Sequence, residues 1–181
     1  MKARYRLNTW VGMLNLFTVN RLLNLLARVV PGGFSLRLIL HRLRGVKIGE
    51  GVWIGDDVYF DEDFPEAIEI QDNVAIATRC TLIAHTKGVG KIIIEKGAAI
   101  GAGSVIVCGF EQTLTIGQGA VVSAGSTVLN DIPAFTLCGP PRIKVYGQVT
   151  VPFRDAATFD QFRRGIRPVR VKSNGTHPGA S

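Results

Sequence analysis

One feature of this sequence constrains the fold more than any other: an aliphatic residue recurs every six positions from Ile48 onward. Glycine or another small or polar residue usually follows it, and a second small or apolar residue comes four places after it. Twelve such six-residue units (hexads) start at Ile48, Ile54, Phe60, Ile70, Ile76, Leu82, Ile94, Ile100, Ile106, Ile116, Val122 and Val128. An amphipathic helix repeats about every 3.6 residues and a strand about every two, so neither fits. A short strand plus a turn does fit, with the first and fifth positions pointing inward.

The grouping of the hexads predicts four coils of three hexads each. The coils start at Ile48, Ile70, Ile94 and Ile116, and are separated by 22, 24 and 22 residues. If a coil uses 18 residues, the surplus of 4, 6 and 4 residues always falls after the third hexad, at residues 66–69, 88–93 and 112–115. We therefore expect these insertions to stack along one edge of the coils and to form a rim there.

This pattern resembles the hexapeptide-repeat acyltransferases over about residues 46–146. The closing segment, VSAGSTVLNDIPAFTLCGPPRIKV, is similar to the last coil and exit segment of the maltose, galactoside and polysaccharide O-acetyltransferases. The resemblance implies a mainly β fold, a left-handed parallel β-helix of about four coils. Residues 1–45 are then an N-terminal amphipathic helical segment, residues 46–146 the acyltransferase domain, and residues 147–181 a C-terminal extension. In that extension we expect a short helix, capped by Asp155, and a disordered tail.

Two amphipathic helices are predicted ahead of the repeat. In the first, Val19, Leu22, Leu23, Leu26, Val29 and Val30 lie on one side, with Arg21, Asn24 and Arg28 opposite. In the second, Leu36, Ile39, Leu40 and Leu43 oppose Arg37, His41 and Arg44. The interpretation we favour is a cap on the open end of the β-helix, with the arginines on a solvated face. Docking of a basic amphipathic element on anionic lipid is compatible with it.

The charge and the cysteines narrow the range of partners and compartments. A net charge of +7 suits an anionic partner, namely nucleic acid, a membrane surface or a phosphorylated ligand. No basic patch interleaved with aromatic residues is present, so we expect no nucleic-acid binding. The three cysteines, Cys80, Cys108 and Cys138, have no metal-type spacing and indicate a reducing cytoplasm. We expect no cleaved signal peptide and therefore a cytoplasmic protein. Peripheral contact with the inner face of the membrane is an open alternative.

His85 is the one histidine inside the repeat, at a hexad position whose side chain should point outward. The resemblance implies that it is the general base, which takes the proton of an acceptor hydroxyl as that oxygen attacks the thioester of acetyl-CoA. Imidazole suits this step because it titrates near neutrality. From the coil spacing, Asp63 is the equivalent of His85 on the neighbouring coil, about 5 Å away. Asp63 is a candidate for orienting the imidazole or binding a sugar hydroxyl, and a solvated acidic corner is an equally open interpretation.

The resemblance also implies where acetyl-CoA binds. Its pantetheine arm would follow a groove lined by small residues, at Ala102, Gly103, Ser104, Ala124, Gly125 and Ser126. Arg142 and Lys144 match the basic end of the family's exit segment, which meets the nucleotide phosphates. We expect no metal, because a catalytic zinc site would need about three protein ligands.

The function expected from this resemblance is acetyl-CoA-dependent O-acetylation of a sugar or polysaccharide-precursor hydroxyl, by a homotrimer with active sites between chains. An amino-sugar N-acetyltransferase and a serine acetyltransferase remain alternatives on the same fold. A non-catalytic binding or scaffold β-helix is the alternative from a different class.

Overall fold

A computed structural model describes residues 10–141 and 144–168, with side chains of the first helix from residue 18 onward. The chain forms two compact units, residues 1–140 and 141–181. Unit 1 begins with helices α1 (Trp10–Val29) and α2 (Leu36–Leu43). No helix among the described residues has the length and apolar character needed to cross a membrane.

Three parallel sheets follow the helices, and successive coils contribute one strand to each. The first sheet comprises β1 (Lys47–Ile48), β4 (Ile68–Ile70), β7 (Lys91–Ile94) and β10 (Thr113–Ile116). The second comprises β2 (Trp53–Ile54), β5 (Ala75–Ile76), β8 (Ala99–Ile100), β11 (Val121–Val122) and β13 (Leu137–Cys138). The third comprises β3 (Tyr59–Phe60), β6 (Thr81–Ile83), β9 (Val105–Val107) and β12 (Thr127–Val128). The mainly β fold, a parallel β-helix of about four coils, is confirmed, while its left-handed sense stays a prediction.

The register of the coils follows the hexads residue by residue. Ile48 pairs with Ile70, Ile70 with Ile94, and Ile94 with Ile116, which are the four predicted coil starts. The fifth positions of the first two hexads of each coil are buried as well, for example Val52. Stacked aliphatic side chains therefore fill the interior, and this burial is the main favourable contribution to the fold.

All three insertions lie on the same edge of the β-helix, as predicted. Each follows a strand of the third sheet and precedes a strand of the first sheet. The strands begin earlier than the hexads suggest, because β4, β7 and β10 extend backward into the inserted residues. A 3₁₀ helix, Pro65–Ala67, occupies part of the first insertion.

The two helices cap the first coil, and three arginines bind its strand-edge carbonyls. Arg42 donates to the carbonyl of Ile48 at 3.1 Å, Arg37 to Ile54 at 2.6 Å and Arg44 to Phe60 at 3.2 Å. The three accepting residues are the equivalent positions on the three sides of the first coil. Arginine is suited to this task because its planar guanidinium offers five donors to carbonyls that no preceding coil can pair.

The predicted orientation of the helices was therefore wrong, although the cap itself is present. Arg37, His41 and Arg44 are buried, whereas Leu36, Ile39 and Leu43 are about half exposed or more. The first helix is oriented in the same way, because its polar Asn24 is fully buried whereas its apolar Leu22 is exposed. The reason is that the surface beneath the helices is a row of strand-edge carbonyls rather than an apolar core, and polar side chains satisfy it better.

His41 gives this cap a pH dependence that can be measured. Burial, followed by the Arg44 and Arg37 cations, lowers the pKa of His41 to about 3. The unfolded chain takes up this proton near pH 6.5 and the folded chain does not, so the free energy of unfolding decreases as the pH falls from 6.5 toward 3. Between about pH 6 and about pH 4 we expect a loss of roughly 2.5 kcal/mol from this group.

The variant His41→Asn removes the titration and can keep an acceptor for Arg44, whose Nη1 lies 3.1 Å from His41 Nδ1. Urea unfolding at the two pH values should show a smaller loss of stability in the variant than in the wild type. An equal loss in both proteins would contradict a buried, uncharged His41.

Unit 2 contains a hairpin of β14 (Gln148–Val149) and β15 (Ile166–Arg167), with α3 (Phe159–Arg164) between them in sequence. Thr158 caps α3 by accepting a hydrogen bond from the Gln161 amide at 3.2 Å, so the expectation that Asp155 caps it was wrong. The predicted disordered tail lies outside the described residues.

Candidate functional site

His85 lies two residues after β6, in the last hexad of the second coil and just before the second insertion, with its side chain partly exposed. Its backbone forms an isolated antiparallel bridge with Val89. Thr86 Oγ1 donates to the Cys108 carbonyl of the next coil at 2.8 Å. Gly88 has a φ of +143° and lies so close to the Phe110 ring that a Cβ there would approach within 2.1 Å. The loop is thus held on the coil that follows, and the imidazole is held with it.

Asp61 accepts a hydrogen bond from His85 and is itself fully buried. Its Oδ2 lies 2.6 Å from His85 Nδ1 and accepts the Ala84 amide at 2.8 Å. Its Oδ1 accepts the amides of Asp63 and Phe64 at 3.0 and 3.1 Å. The other three partners of this carboxylate are backbone amides, which donate, and a carboxylate can only accept. His85 Nδ1 must therefore carry the proton, and His85 Nε2 presents its lone pair outward.

Sequence reasoning missed Asp61 as a site residue. The hexad pattern assigns it to an outward second position, next to two further acidic residues. A local signal was present, because an aspartate whose side chain accepts the amides two and three residues ahead is typical of a tight turn. That turn, Asp61–Phe64, aims the second carboxylate oxygen at the following coil.

Asp63 lies where the coil spacing predicted it, beside His85. Its Oδ2 is 3.6 Å from His85 Nε2, on the nitrogen opposite Asp61, and its side chain is about half exposed. The Phe64 ring packs against the imidazole with centroids 5.6 Å apart. Asp63 can therefore interact with an imidazolium or with a molecule bound at Nε2, while Asp61 fixes the ring.

The cap supports the turn that carries these carboxylates. Arg44 Nη2 donates to the Asp61 carbonyl at 2.8 Å, and its other nitrogens donate to Asn20 and Asn24 at 2.8 Å. Asn24 donates in turn to the Glu62 carboxylate at 3.1 Å. Burial lowers the pKa of Arg44 to about 10, which still leaves it charged at neutral pH. The N-terminal helices thus reach the site through hydrogen bonds to its backbone and to Glu62.

One group of side chains among the described residues has the spacing of metal ligands. It consists of Asp61, Asp63 and His85, which each offer one ligand atom within 4.8 Å of the others. The Asp61 oxygens already accept three amides and the imidazole. A cation bound to both Asp61 and His85 Nδ1 would displace the shortest of these bonds. The donor set fits a hydrogen-bonded imidazole better than it fits a metal centre.

The six small residues predicted to bind the pantetheine arm form a column, but at another corner. They lie between the second and third sheets, whereas His85 lies between the third and the first. Space is open above Gly103 and Gly125, and Ala124 is exposed. Ser104 and Ser126 are buried, and their hydroxyls donate to the carbonyls of Gly101 and Ser123. One chain therefore does not bring this column next to His85.

The predicted phosphate-binding residues lie in unit 2. Arg142 lies outside the described residues, and Lys144 is exposed. Both remain predictions.

Comparisons with known proteins find several acetyltransferases that are similar in sequence to this chain. YvoF of Bacillus subtilis (strain 168), provisionally described as an acetyltransferase, is 36% identical over 105 residues. A serine acetyltransferase of the same strain is 33% identical over 118 residues. The dTDP-3-amino-3,6-dideoxy-alpha-D-galactopyranose 3-N-acetyltransferase of Aneurinibacillus thermoaerophilus is 51% identical over 59 residues. The chain is thus similar in sequence to named acetyltransferases over part of its length. The resemblance stated from the sequence is thus confirmed, and these relatives support an acyltransferase.

The matches cover only part of each protein. They include 54%, 60% and 32% of this chain, and the chain spans 59%, 52% and 29% of these three relatives. Among solved structures, a maltose O-acetyltransferase from Clostridium difficile 630 aligns with a TM-score of 0.44 and 21% identity, over 70% of this chain and 80% of that one. No protein-family model matches the chain.

Proposed function

We propose that this protein is an acetyl-CoA-dependent O-acetyltransferase that acts on a hydroxyl of a sugar or polysaccharide precursor, with His85 as general base. The observation that carries the proposal is the His85–Asp61 pair, in which a buried carboxylate holds Nδ1 at 2.6 Å and leaves Nε2 directed outward. A solvent-facing corner histidine would not require a fully buried carboxylate whose other contacts are three backbone amides.

In the proposed reaction, the acceptor O–H bond breaks and its proton passes to His85 Nε2 as the oxygen attacks the thioester carbonyl. The new C–O bond forms and the C–S bond then breaks. His85 returns the proton to the sulfur, so that CoA leaves as a free thiol. Asp61 holds the imidazole in the required tautomer and stabilises the imidazolium that forms between the two transfers.

The co-substrate site is proposed to lie between chains of a homotrimer. Its support is that the Ala102–Gly103 and Ala124–Gly125 corners are open while His85 lies on a different edge of the same chain. A neighbouring chain could place that column against His85. Lys144 and Arg142 are proposed to bind the phosphates of CoA, from their match to the family's exit segment alone. No step of the proposed reaction needs a metal.

An amino-sugar acceptor is a second candidate, and one observation favours it. The 51% identity over 59 residues is to a protein named as a 3-N-acetyltransferase of a dTDP-amino sugar. An amine attacks a thioester by the same proton transfer, so His85 keeps its role. Serine, the substrate class in the names of other relatives, is a further acceptor to test.

Thiol release from acetyl-CoA is the assay that tests the proposal. The panel contains sugars, nucleotide sugars, their 3-amino analogues and serine. We expect turnover with a hydroxyl acceptor and a product that alkaline hydroxylamine cleaves, since esters react and amides do not. A hydroxylamine-resistant product would favour the amino-sugar candidate. An absence of both acetyl-CoA binding and turnover would favour a scaffold protein.

A substitution of Asp63 tests the same site and is expected to have a smaller effect than a substitution of Asp61. Because Asp63 is half exposed and on the Nε2 side, Asp63→Asn should lower kcat/KM for the acceptor by about three- to thirty-fold, less than a change at Asp61. Asp131→Asn, the equivalent corner of the last coil, is the matched control. Unchanged kcat and KM in Asp63→Asn would leave Asp63 without a catalytic or substrate-binding role.

A further inference from the structure

The N-terminal helices expose the faces that the sequence pattern marks as apolar. On α1, Val19, Leu22, Leu26 and Val29 are 49–77% exposed, and on α2, Leu36, Ile39 and Leu43 are 46–68% exposed. Both helices turn buried polar residues toward the first coil, Asn24 on α1 and Arg37 and His41 on α2. Their apolar faces therefore both turn away from it, on the outer side of the cap. Large side chains repeated along one face of each helix form a patch, and exposed patches of this kind mark interaction surfaces.

Basic residues predominate in the segment of the chain that carries this patch. Residues 10–49 contain six of the 21 basic residues and none of the 14 acidic residues. Residues 50–140, which form the β-helix, contain four basic and twelve acidic residues. Arg21, Arg42 and Lys47 are exposed on or next to the two helices. Arg28 and Arg37 pair with Asp57 and Asp56 of the first coil. The exposed cations are thus on or next to the helices that carry the apolar faces, whereas the β-helix has an excess of acidic residues.

We propose that this outer face of the helical cap docks on the surface of an anionic lipid bilayer. Apolar side chains at helical spacing would enter the headgroup region, and the surrounding cations would neutralise lipid phosphates. A second copy of the chain is a poorer occupant, because docking two such faces brings like charges together. The anionic β-helix would be held away from the membrane. This inference uses none of the residues placed in the reaction.

Co-sedimentation of the full chain with vesicles tests it. Vesicles of phosphatidylglycerol and phosphatidylethanolamine should bind the protein, phosphatidylcholine vesicles should bind it weakly, and added salt should release it. Leu22→Glu/Leu26→Glu should reduce binding at least about tenfold, because both changes place charge in the apolar face. Leu36→Glu/Ile39→Glu on α2 should have the same effect. All four positions are exposed, so thermal unfolding should stay near that of the wild type.

Leu129→Glu/Leu137→Glu is the matched control, since it adds the same charge at exposed positions of the β-helix. It should bind anionic vesicles like the wild type. Three results would overturn the proposal: no binding of the wild type to anionic vesicles, equal losses in the control and the α1 variant, or a smaller particle mass in solution for the α1 variant. The last result would assign the face to contact between copies.

Discussion

Replacement of His85 by alanine should lower kcat by about 10²- to 10⁴-fold, the usual contribution of a positioned general base. The hydroxyl of a sugar is a poor nucleophile at neutral pH and needs a base to take its proton. Within the described residues, His85 Nε2 is the imidazole nitrogen that faces outward beside Asp63 and can serve as this base. Binding of acetyl-CoA should change little, because the imidazole is assigned to proton transfer. Initial rates of thiol release measure the first expectation, and titration calorimetry with CoA measures the second.

Lys87→Gln is the matched control for His85→Ala. Lys87 is an exposed residue of the same loop, and glutamine removes its charge while keeping a long polar side chain. We expect wild-type turnover in this control. Undiminished thiol release in His85→Ala, with an intact fold, would remove the proposed base.

Asp61→Asn should lower kcat by a similar factor, about 10²- to 10⁴-fold, although the side chain keeps its shape. Four donors converge on the Asp61 carboxylate, two on each oxygen. An amide has a single acceptor oxygen, so its NH₂ group must face two of these donors. If it faces His85, the ring must carry its proton on Nε2 and can no longer accept one there. If it faces Asp63 and Phe64, their two backbone amides lose their acceptor and the turn is destabilised.

Kinetics and unfolding together measure this second prediction. Thermal unfolding reports the loss at the turn, and kcat reports the loss at the imidazole. Glu62→Gln removes one negative charge from the same segment without touching His85, and it should keep kcat within about threefold. An Asp61→Asn protein with wild-type kcat would show that this carboxylate is only structural.

Much of the β-helix could be predicted from the sequence because each coil repeats the same local requirement. An inward aliphatic residue is needed at a fixed spacing, and a small residue is needed at the corner. The four predicted starts, Ile48, Ile70, Ile94 and Ile116, are paired in the structure without a register error. The shared edge of the insertions follows from the same arithmetic. His85 and Asp63 therefore came together as predicted.

The sequence could not give the orientation of the cap or the role of Asp61. Helical periodicity separates Arg37 from Leu36, but it does not say whether the surface beneath is apolar or a row of carbonyls. Here the carbonyls of the first coil decide, and the arginines turn inward. Asp61 was missed because the hexad rule describes regular coils, whereas this residue belongs to a turn with its own hydrogen bonds.

The measurement that tests the central claim most directly is the turnover of the double variant Asp61→Asn/His85→Ala beside its two single variants. If Asp61 acts through His85, the double variant should retain the residual kcat of His85→Ala within about twofold, because the carboxylate has nothing left to orient. A kcat reduced by the product of the two single effects would contradict this account, since Asp61 and His85 would then contribute independently.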